Sequence, residues 1–516
     1  MNESFSGWQF LFTEARAPLV LTLQIGACVA FFSGLIAALF GVLLHRTDLP
    51  FARKLDSWIT LPYALPGYLL GMAWVTLANP RVGILKALFP ETGIYSVGGI
   101  IFVETTVAFV FPYLALTSGF QRLDPTLEEA ARTSGASPWK VFRDIQLPLL
   151  FPSWAQGVGL AFLYACSSFG VPALLGIPAR QFVLTTLIYS ELRLGGAEGL
   201  TRGLALAGLL LSSVLVTHAL FSTLLLRKKR SFALTSGKAS RPTRLRLGYW
   251  RYAGTFVLLS WVLITTGLPW LALGISALAS HSGNLHPAHW TLTHFEHLLG
   301  LSDFKEAVLN STTIALSVGL AIASLSFALG YLAYFDSRFR RVSGLFRIPF
   351  ALPGTVLALG WILLSSFWRR FFPDSSFSPD LPWIAISATC FLKYAVTGVE
   401  STGQSFQQIH PCLNEAGRVS GASRWELLRH LWWPLLRKQW GAVFLLAALP
   451  VFTELTMSLL LTGPGGMTLG TLLFQLQDYS DPAAAAALAW ILLTLAALVP
   501  LVVRWLAAGI QKEVSS

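Results

Sequence analysis

The residues whose types and spacing suggest chemistry are acidic residues, glycines and prolines in two polar segments of an otherwise apolar chain. Leu123–Pro148 and Ile409–Pro434 are offset by 286 positions and are identical at 12 of 26 of them. Each places a carboxylate six residues before a glycine, which is followed thirteen residues later by a proline. One explanation is an amphipathic helix that anchors a bundle at the lipid headgroups. Two copies at matched positions favour the other explanation, the docking of a two-fold partner.

The local signals in these segments predict helix–turn–helix structure. An Asp-Pro pair at 124–125 is typical of a helix start. The aspartate side chain accepts from a free backbone amide, and proline has no amide hydrogen that would need a partner. Gly135 interrupts the first helix, and a Ser-Pro pair at 137–138 begins a second one. In the other copy, Ser423 and Glu426 have the spacing of a capping box. Both segments are too polar to cross a membrane and too regular to be loops.

The rest of the chain is predicted to be an all-α membrane protein that positions these segments. It has 516 residues, of which 54% are hydrophobic and 12% charged, and its mean hydropathy is +0.61. A soluble protein of this length cannot bury so much apolar surface. Apolar runs predict eleven transmembrane helices at 18–44, 57–78, 96–118, 151–175, 201–226, 252–276, 307–334, 348–366, 382–400, 440–461 and 485–507.

The basic residues predict the orientation of these spans. Of 37 Lys and Arg residues, 25 fall in five short stretches, at 46–54, 122–143, 227–251, 338–347 and 418–438. If all five are cytoplasmic, the spans alternate without contradiction, with the N-terminus outside and the C-terminus inside. The net charge of +12 therefore does not indicate nucleic-acid binding, which would cluster basic residues on a soluble domain. Four scattered cysteines indicate neither a disulfide framework nor a metal site.

The match between the two polar segments belongs to a longer internal duplication. Residues 61–74 match residues 348–361 at an offset of 287, and 184–189 weakly match 469–474 at an offset of 285. Three internal sequence matches in the same order predict two homologous halves arranged as a parallel repeat. The predicted domains are a first permease domain with five transmembrane helices, a basic cytoplasmic linker and a second permease domain with six, at 1–226, 227–250 and 251–516.

The first polar segment resembles the EAA signature of ABC importer permeases. The matching residues are Glu129-Ala130-Ala131, Gly135, Ile145 and Leu147-Pro148. The second copy departs from the signature at Gly417, Leu431 and Trp433. The resemblance covers both halves and is greatest to the fused two-domain permeases of ferric-iron importers. Thiamine and phosphonate permeases are similar alternatives.

This resemblance implies a type I ABC importer permease fold in a bacterial inner membrane. It also implies that the two segments are coupling helices that dock on two ATP-binding subunits, which form a homodimer, while a periplasmic binding protein delivers the substrate. ATP and Mg²⁺ would be bound by the partner subunits, and no phosphate-binding loop occurs in this chain. The residues implied to couple are Glu129, Ala130, Ala131, Gly135, Ala136, Ser137, Glu415, Ala416, Gly417, Gly421, Ala422 and Ser423.

The family commonly has six helices in each half, so a first half with five implies a missing helix or a start further upstream. The helix predicted at 252–276 is the additional one of the second half, and a shared core of five remains in each.

Candidate residues of the transport path lie inside the predicted spans. Proline and glycine in two matched Ala-Leu-Pro-Gly sequences break a helix, which is tolerated where a cavity or neighbouring helices satisfy the backbone. Matched broken helices in two halves are typical of a transport path. Two acidic residues inside spans are too costly to face lipid, so each either lines or gates a cavity or forms a buried structural hydrogen bond, and a serine aligns with one of them. The candidates are Pro66, Gly67, Pro353, Gly354, Glu104, Ser168 and Glu454.

Five of the nine histidines lie in one predicted outer loop, namely His281, His286, His289, His294 and His297. Imidazole clusters suit zinc, copper or nickel rather than ferric iron, which prefers oxygen ligands. We therefore expect an ordinary periplasmic loop that contacts the binding protein, and no metal site.

Two other function classes compete with an importer permease. An ion-coupled secondary transporter would need buried charges along the midplane and would leave the two cytoplasmic segments without a role. A membrane enzyme is disfavoured, because the spans contain no His/Glu/Asp cluster with catalytic or metal-ligand spacing.

Overall fold

A computed structural model describes residues 13–86, 93–226, 245–280, 289–373 and 378–515. The regular elements within these ranges are helices, which confirms the predicted all-α fold. The described residues form two compact units, one before residue 281 and one after residue 288.

The first unit begins with a long apolar helix and contains the first polar segment. Its helices are α1 Arg16–Arg46, α2 Ala52–Ile59, α3 Gly67–Ala78, α4 Val97–Ala108, α5 Val110–Arg122, α6 Pro125–Thr133, α7 Pro138–Val141, α8 Leu147–Ser167, α9 Gly170–Gly176, α10 Leu184–Leu194, α11 Gly196–Leu226, α12 Trp250–Val262 and α13 Leu268–Leu278.

The second unit repeats this order from its second helix onward. Its helices are α14 Thr293–Gly300, α15 Ser302–Phe335, α16 Ser337–Leu345, α17 Arg347–Ala351, α18 Gly354–Phe371, α19 Pro382–Gln408, α20 Pro411–Val419, α21 Arg424–Leu427, α22 Trp433–Phe452, α23 Thr456–Leu461, α24 Leu469–Gln475 and α25 Pro482–Ser515.

Eight helices or joined helices among the described residues are long and apolar enough to cross a membrane. A ninth span results if the pair Lys54–Tyr63 and Gly67–Ala78, bent by 95°, counts as one. The runs predicted at 348–366 and 485–507 fall on the shorter α18 and on α25, whose apolar part is Pro482–Leu498.

The repeat extends to the first long helix of each unit, where the sequence shows no echo. In the first unit the Leu184 amide donates to the Thr22 hydroxyl over 2.9 Å, and in the second the Leu469 amide donates to the Ser311 hydroxyl over 2.9 Å. Thr22 and Ser311 are 289 positions apart, so α1 and α15 are equivalent with a slightly larger offset. A hydroxyl in a spanning helix thus satisfies the first amide of α10 and of α24.

The helix that follows the linker packs in the first unit. Trp261 contacts Phe40 and Phe109 edge to face, with ring centroids 5.6 and 5.1 Å apart, and Leu258 is fully buried in the same cluster. Just before this helix, the Leu245 amide donates to the Arg46 carbonyl over 2.7 Å. The helical region at 250–278, predicted to belong to the second permease domain, therefore packs within the first unit.

Each unit contains two helix breaks, of which the sequence predicts one. The predicted breaks lie at Pro66 and Pro353, each followed at once by a new helix. The runs at 151–175 and 440–461 are predicted to be single spans, but in the structure the first is divided at Ser168 and the second around Glu454. These second breaks carry no Pro-Gly pair, which is why the hydrophobic pattern passes over them.

Candidate functional site

The first polar segment is a rigid surface turn. Asp124 caps α6 by accepting from the Thr126 amide over 2.9 Å. Two residues after α6 ends, Gly135 has a φ of +83°, in the left-handed region that favours glycine. The Gly135 amide then donates to the Arg132 carbonyl over 2.9 Å, and Ser137 caps α7. Here we use the name coupling segment for residues 123–148 and 409–434.

The second coupling segment has the same backbone. Gly421 has a φ of +82°, and its amide donates to the Arg418 carbonyl over 3.0 Å. The predicted capping box is confirmed, because the Glu426 carboxylate accepts from the Ser423 amide over 2.7 Å while the Ser423 hydroxyl caps the Glu426 amide. A π-helical turn follows in both copies, at Phe142–Gln146 and Leu428–Trp432. The turn precedes a proline that has no amide hydrogen for an ordinary helical bond.

The signature residues of both coupling segments face outward at equal positions. The exposed members are Glu129, Ala130, Gly135, Ser137, Glu415, Ala416, Gly421 and Ser423, and the half-buried members are Ala131, Ala136, Gly417 and Ala422. A side-chain carbon added at Gly135 or Gly421 would meet nothing within 4 Å. Trp139 and Trp425 are 67% and 68% exposed beside them. Such matched, rigid and exposed surfaces are suited to binding the two copies of a symmetric partner.

The departure at Gly417 from the first copy has a packing reason. A carbon added there would lie 2.3 Å from the Leu427 side chain, which is buried at the junction between α20 and α21. In the first copy the same pair of positions is Ala131 and Val141, so a larger residue on one helix accompanies a smaller one on the other. The exchange conserves volume, which cores tolerate best.

The first coupling segment is held to the bundle by charge. Arg46, at the end of α1, donates to the Glu128 carboxylate over 3.1 Å, and the two side chains are only 6% and 14% exposed. The Gln146 amide donates to the same carboxylate oxygen over 3.3 Å. Arg46 also lies 5.7 Å from the Phe120 ring centroid. Glu129 of the Glu-Glu pair is the residue predicted to couple, whereas Glu128, which the sequence pattern did not single out, is the acid that anchors the segment.

The second coupling segment is held by aromatic packing. Trp432, which stands where the first copy has Gln146, is fully buried and lies 4.7 Å from Tyr334 and 5.2 Å from Phe406 between ring centroids. Asn414 replaces Glu128, and at the offset of the long helices Phe335 replaces Arg46. Equivalent surfaces are therefore supported by different interactions.

The predicted pathway residues lie where two broken helices meet within each unit. A carbon added at Gly67 would lie 2.9 Å from the Tyr164 hydroxyl of α8, so glycine permits the close approach of α3. In the second unit, a carbon added at Gly354 would lie 3.4 Å from Met457 and 3.5 Å from Thr456, at the start of α23. Pro66 and Pro353 immediately precede these contacts.

The two intramembrane carboxyl groups occupy these junctions from opposite sides. Glu104 projects from α4 beside the Ser168 hydroxyl at the second break and is fully buried. In the second unit the acid is Glu454, at the position equivalent to Ser168, and Cys390 takes the position of Glu104. Glu454 accepts from the Tyr394 hydroxyl over 2.8 Å and from the Met457 amide over 2.9 Å. Each junction thus holds one acid, which comes from a different helix in each unit.

The histidine region does not bring ligands together in the part of the chain that the structure describes. His297 lies on α14 and pairs with Asp481 at 3.3 Å. No group of three or more potential metal-binding side chains occurs among the described residues. His281 and His286 lie outside them, as does most of the basic linker.

Known proteins are similar to this chain over the length of a single half. A "Probable sulfate transport system permease protein cysT" of Chlorella vulgaris is 30% identical over 200 residues, which are 36% of this chain and 74% of that protein. The "Molybdenum transport system permease protein ModB" of Escherichia coli is 30% identical over 185 residues, 35% of this chain and 81% of that protein. These names support an importer permease and do not support iron.

A family model described as "Binding-protein-dependent transport system inner membrane component" matches twice, at residues 23–231 and 319–515. The two matches together cover most of the chain and correspond to the two repeats seen in the structure. The description implies an inner-membrane location, a binding protein and an ATPase as partners, and a transport rather than an enzymatic role. The chain therefore belongs to the binding-protein-dependent transport system inner membrane components, the permease subunits of ABC importers, with the family's domain present twice.

Proposed function

We propose that this chain is the membrane subunit of an ATP-driven importer in which two identical ATP-binding subunits dock on the two coupling segments. The repeated surface geometry is the observation that carries the proposal. Gly135 and Gly421 have nearly the same φ, and an exposed carboxylate, Glu129 or Glu415, lies six residues before each glycine. Two such surfaces in one chain suit the two faces of a homodimer.

The packing supports a mechanical role for these surfaces. The buried Arg46–Glu128 pair ties α6 to the cytoplasmic end of α1, so a displacement of α6 is transmitted to a spanning helix. Closure of the ATPase dimer on ATP and Mg²⁺, both bound by the partner subunits, would move both segments. ATP can drive this change only if its affinity differs between the outward-open and inward-open states.

A charge-reversal experiment tests this docking. The Glu129→Lys, Glu415→Lys double variant should insert and fold normally, because both side chains are exposed. In proteoliposomes containing the ATPase and the binding protein, it should lose ATP-driven uptake and the stimulation of ATP hydrolysis by loaded binding protein. Glu198→Lys, which changes an exposed acid on α11, is the matched control and should retain both. Undiminished uptake by the double variant would contradict the proposal, and uptake driven by an ion gradient alone would favour a secondary transporter.

For the cargo, we propose a small inorganic ion, with ferric iron as the first candidate. Its support is the resemblance of the fused architecture to ferric-iron importers. A further support is charge: at the helix breaks the described buried acids are Glu104 and Glu454, whereas the nearby Lys393 binds backbone carbonyls. Carboxylates suit a trivalent cation better than a dianion. The names of the relatives favour the second candidate, a tetrahedral oxyanion such as sulfate or molybdate.

Uptake with the cognate binding protein separates the cargo candidates. Radiolabelled ferric iron, sulfate and molybdate would be supplied singly to the reconstituted complex, and each would be competed with the other two. Iron uptake that sulfate and molybdate do not reduce is the expected result. Uptake of an oxyanion without iron would replace the first candidate with the second.

We also propose that the N-terminus is periplasmic and the C-terminus cytoplasmic, as the basic stretches indicate. Cys412 allows this to be tested in the unmodified protein, because it is the exposed one of the four free cysteines and lies on α20. A membrane-impermeant thiol reagent should label it in inverted vesicles and not in intact cells. Labelling in intact cells would reverse the orientation.

A further inference from the structure

The second unit contains a half-buried lysine inside a spanning helix that neither the repeat nor the coupling segments explain. Lys393 lies near the middle of α19, about 16 Å from its start at the helical rise per residue. That depth is close to the centre of a bilayer whose apolar core is about 30 Å thick. A lysine at such a depth is costly and normally marks a functional site.

Lys393 binds the backbone at the predicted helix break. Its ammonium group donates to the Phe350 carbonyl over 3.2 Å and to the Leu352 carbonyl, and it lies 5.9 Å from the Phe350 ring centroid. These carbonyls end α17, where Pro353 interrupts the helical hydrogen bonds. A cation at the C-terminal end of a helix stabilises the free carbonyls and the helix dipole.

The next residue along α19 binds the other break. The Tyr394 hydroxyl donates to Glu454, whose second carboxylate oxygen accepts from the Met457 amide at the start of α23. Glu454 and Lys393 also attract each other electrostatically. Two consecutive side chains of one continuous helix therefore hold both broken helices of the second unit.

The first unit has no equivalent arrangement at these positions. Val107 and Ala108 stand where the second unit has Lys393 and Tyr394, and neither side chain can form a hydrogen bond. The break at Pro66 is bent by 95° between its two helices, without a cation from the equivalent position of α4. The difference between the units lies in how a broken helix is fixed, while the break itself is shared.

We propose that Lys393 is a positioning residue that locks the α17–α18 break through the Phe350 and Leu352 carbonyls and thereby sets how efficiently ATP hydrolysis is converted into transport. Glu454 supplies a negative charge that attracts the ammonium group. This inference rests on the proposed function, because the breaks act in transport only if the chain is an importer permease. Lys393 acts on α17 and α18 and does not contact the substrate.

Four variants, studied in the complete complex with ATPase and binding protein, separate the carbonyl contacts of Lys393 from its electrostatic attraction to Glu454. Lys393→Met and Glu454→Gln each leave one charge at the helix breaks without the opposite charge that attracts it, which should lower thermal stability and yield. The Lys393→Met, Glu454→Gln double variant removes both charges and should recover the stability of the wild type. It still leaves the two carbonyls without a donor, so uptake per ATP hydrolysed should remain at least 10-fold below wild type. Lys393→Arg keeps a cationic donor and should retain most of the uptake per ATP.

Hydrogen exchange supplies a readout that does not depend on transport. Amides at the start of α18 should exchange faster in the stable double variant than in the wild type, while Leu392→Met, a change on the exposed side of α19, should alter neither exchange nor uptake. Recovery of uptake per ATP and of exchange protection together with stability in the double variant would overturn the proposal. If the wild-type complex itself shows no ATP-driven uptake, the proposed function fails, whereas the exchange result still decides whether Lys393 fixes the break.

Discussion

The Arg46–Glu128 pair of the first coupling segment predicts a perturbation that loosens this segment and leaves the second coupling segment unchanged. Arg46→Met removes the partner of a carboxylate that is 14% exposed on α6. Breaking a buried ion pair by removing one partner costs about 3–5 kcal/mol. Because Gln146 still donates to Glu128, the lower figure applies here. A loss of about 3 kcal/mol reduces the ratio of docked to undocked α6 roughly 100-fold.

Hydrogen exchange of the two coupling segments in the same sample measures this effect. Amides of α6 should lose protection in Arg46→Met, while amides of α20 should be unchanged and serve as the internal control. The conservative Arg46→Lys should show a smaller loss, and Arg46→Met with Glu128→Gln should recover much of it because no buried charge is left unpaired. Tyr334→Leu is the matched variant of the other unit and should loosen α20 alone, since Tyr334 packs on Trp432. Unchanged protection of α6, or equal loss in both segments, would refute the reasoning.

Three further predictions concern packing and backbone geometry. Gly417→Ala should lower the melting temperature and uptake, because its methyl group meets Leu427 at 2.3 Å, and adding Leu427→Val should restore both by reproducing the pair of the first copy. Thr22→Val should cost about 1–3 kcal/mol of stability by leaving a buried amide without an acceptor, and Ser311→Ala should cost a similar amount in a thermal unfolding assay. Gly135→Asn, which tolerates positive φ, should fold better than Gly135→Val, and equal yields of the two would contradict the assigned turn.

The sequence predicted those features that depend on local chemistry. The caps at Asp124 and Ser423 and the glycine turns follow from residue types and short spacings, and the structure places them as expected. Proline and glycine likewise located the breaks at Pro66 and Pro353.

Features that depend on contacts between distant residues were not predictable from one sequence. The Arg46–Glu128 pair joins residues 82 positions apart. The equivalent support in the second unit is aromatic, so a comparison of the two copies does not indicate an ion pair. The breaks at Ser168 and Glu454 interrupt runs that remain apolar on both sides. Hydrophobic period and length carry no information on either feature.

The packing of the post-linker helix in the first unit has a consequence for synthesis of the chain. The cluster around Phe40 and Phe109 is completed by Leu258 and Trp261, which leave the ribosome only after the linker has been made. Domains otherwise tend to fold in order as they emerge. The first unit is completed only after the post-linker helix α12 has been made. A nascent chain arrested within the linker therefore lacks Leu258 and Trp261 of this cluster. We therefore expect a ribosome stalled at the linker to yield a first unit that lacks part of its apolar core.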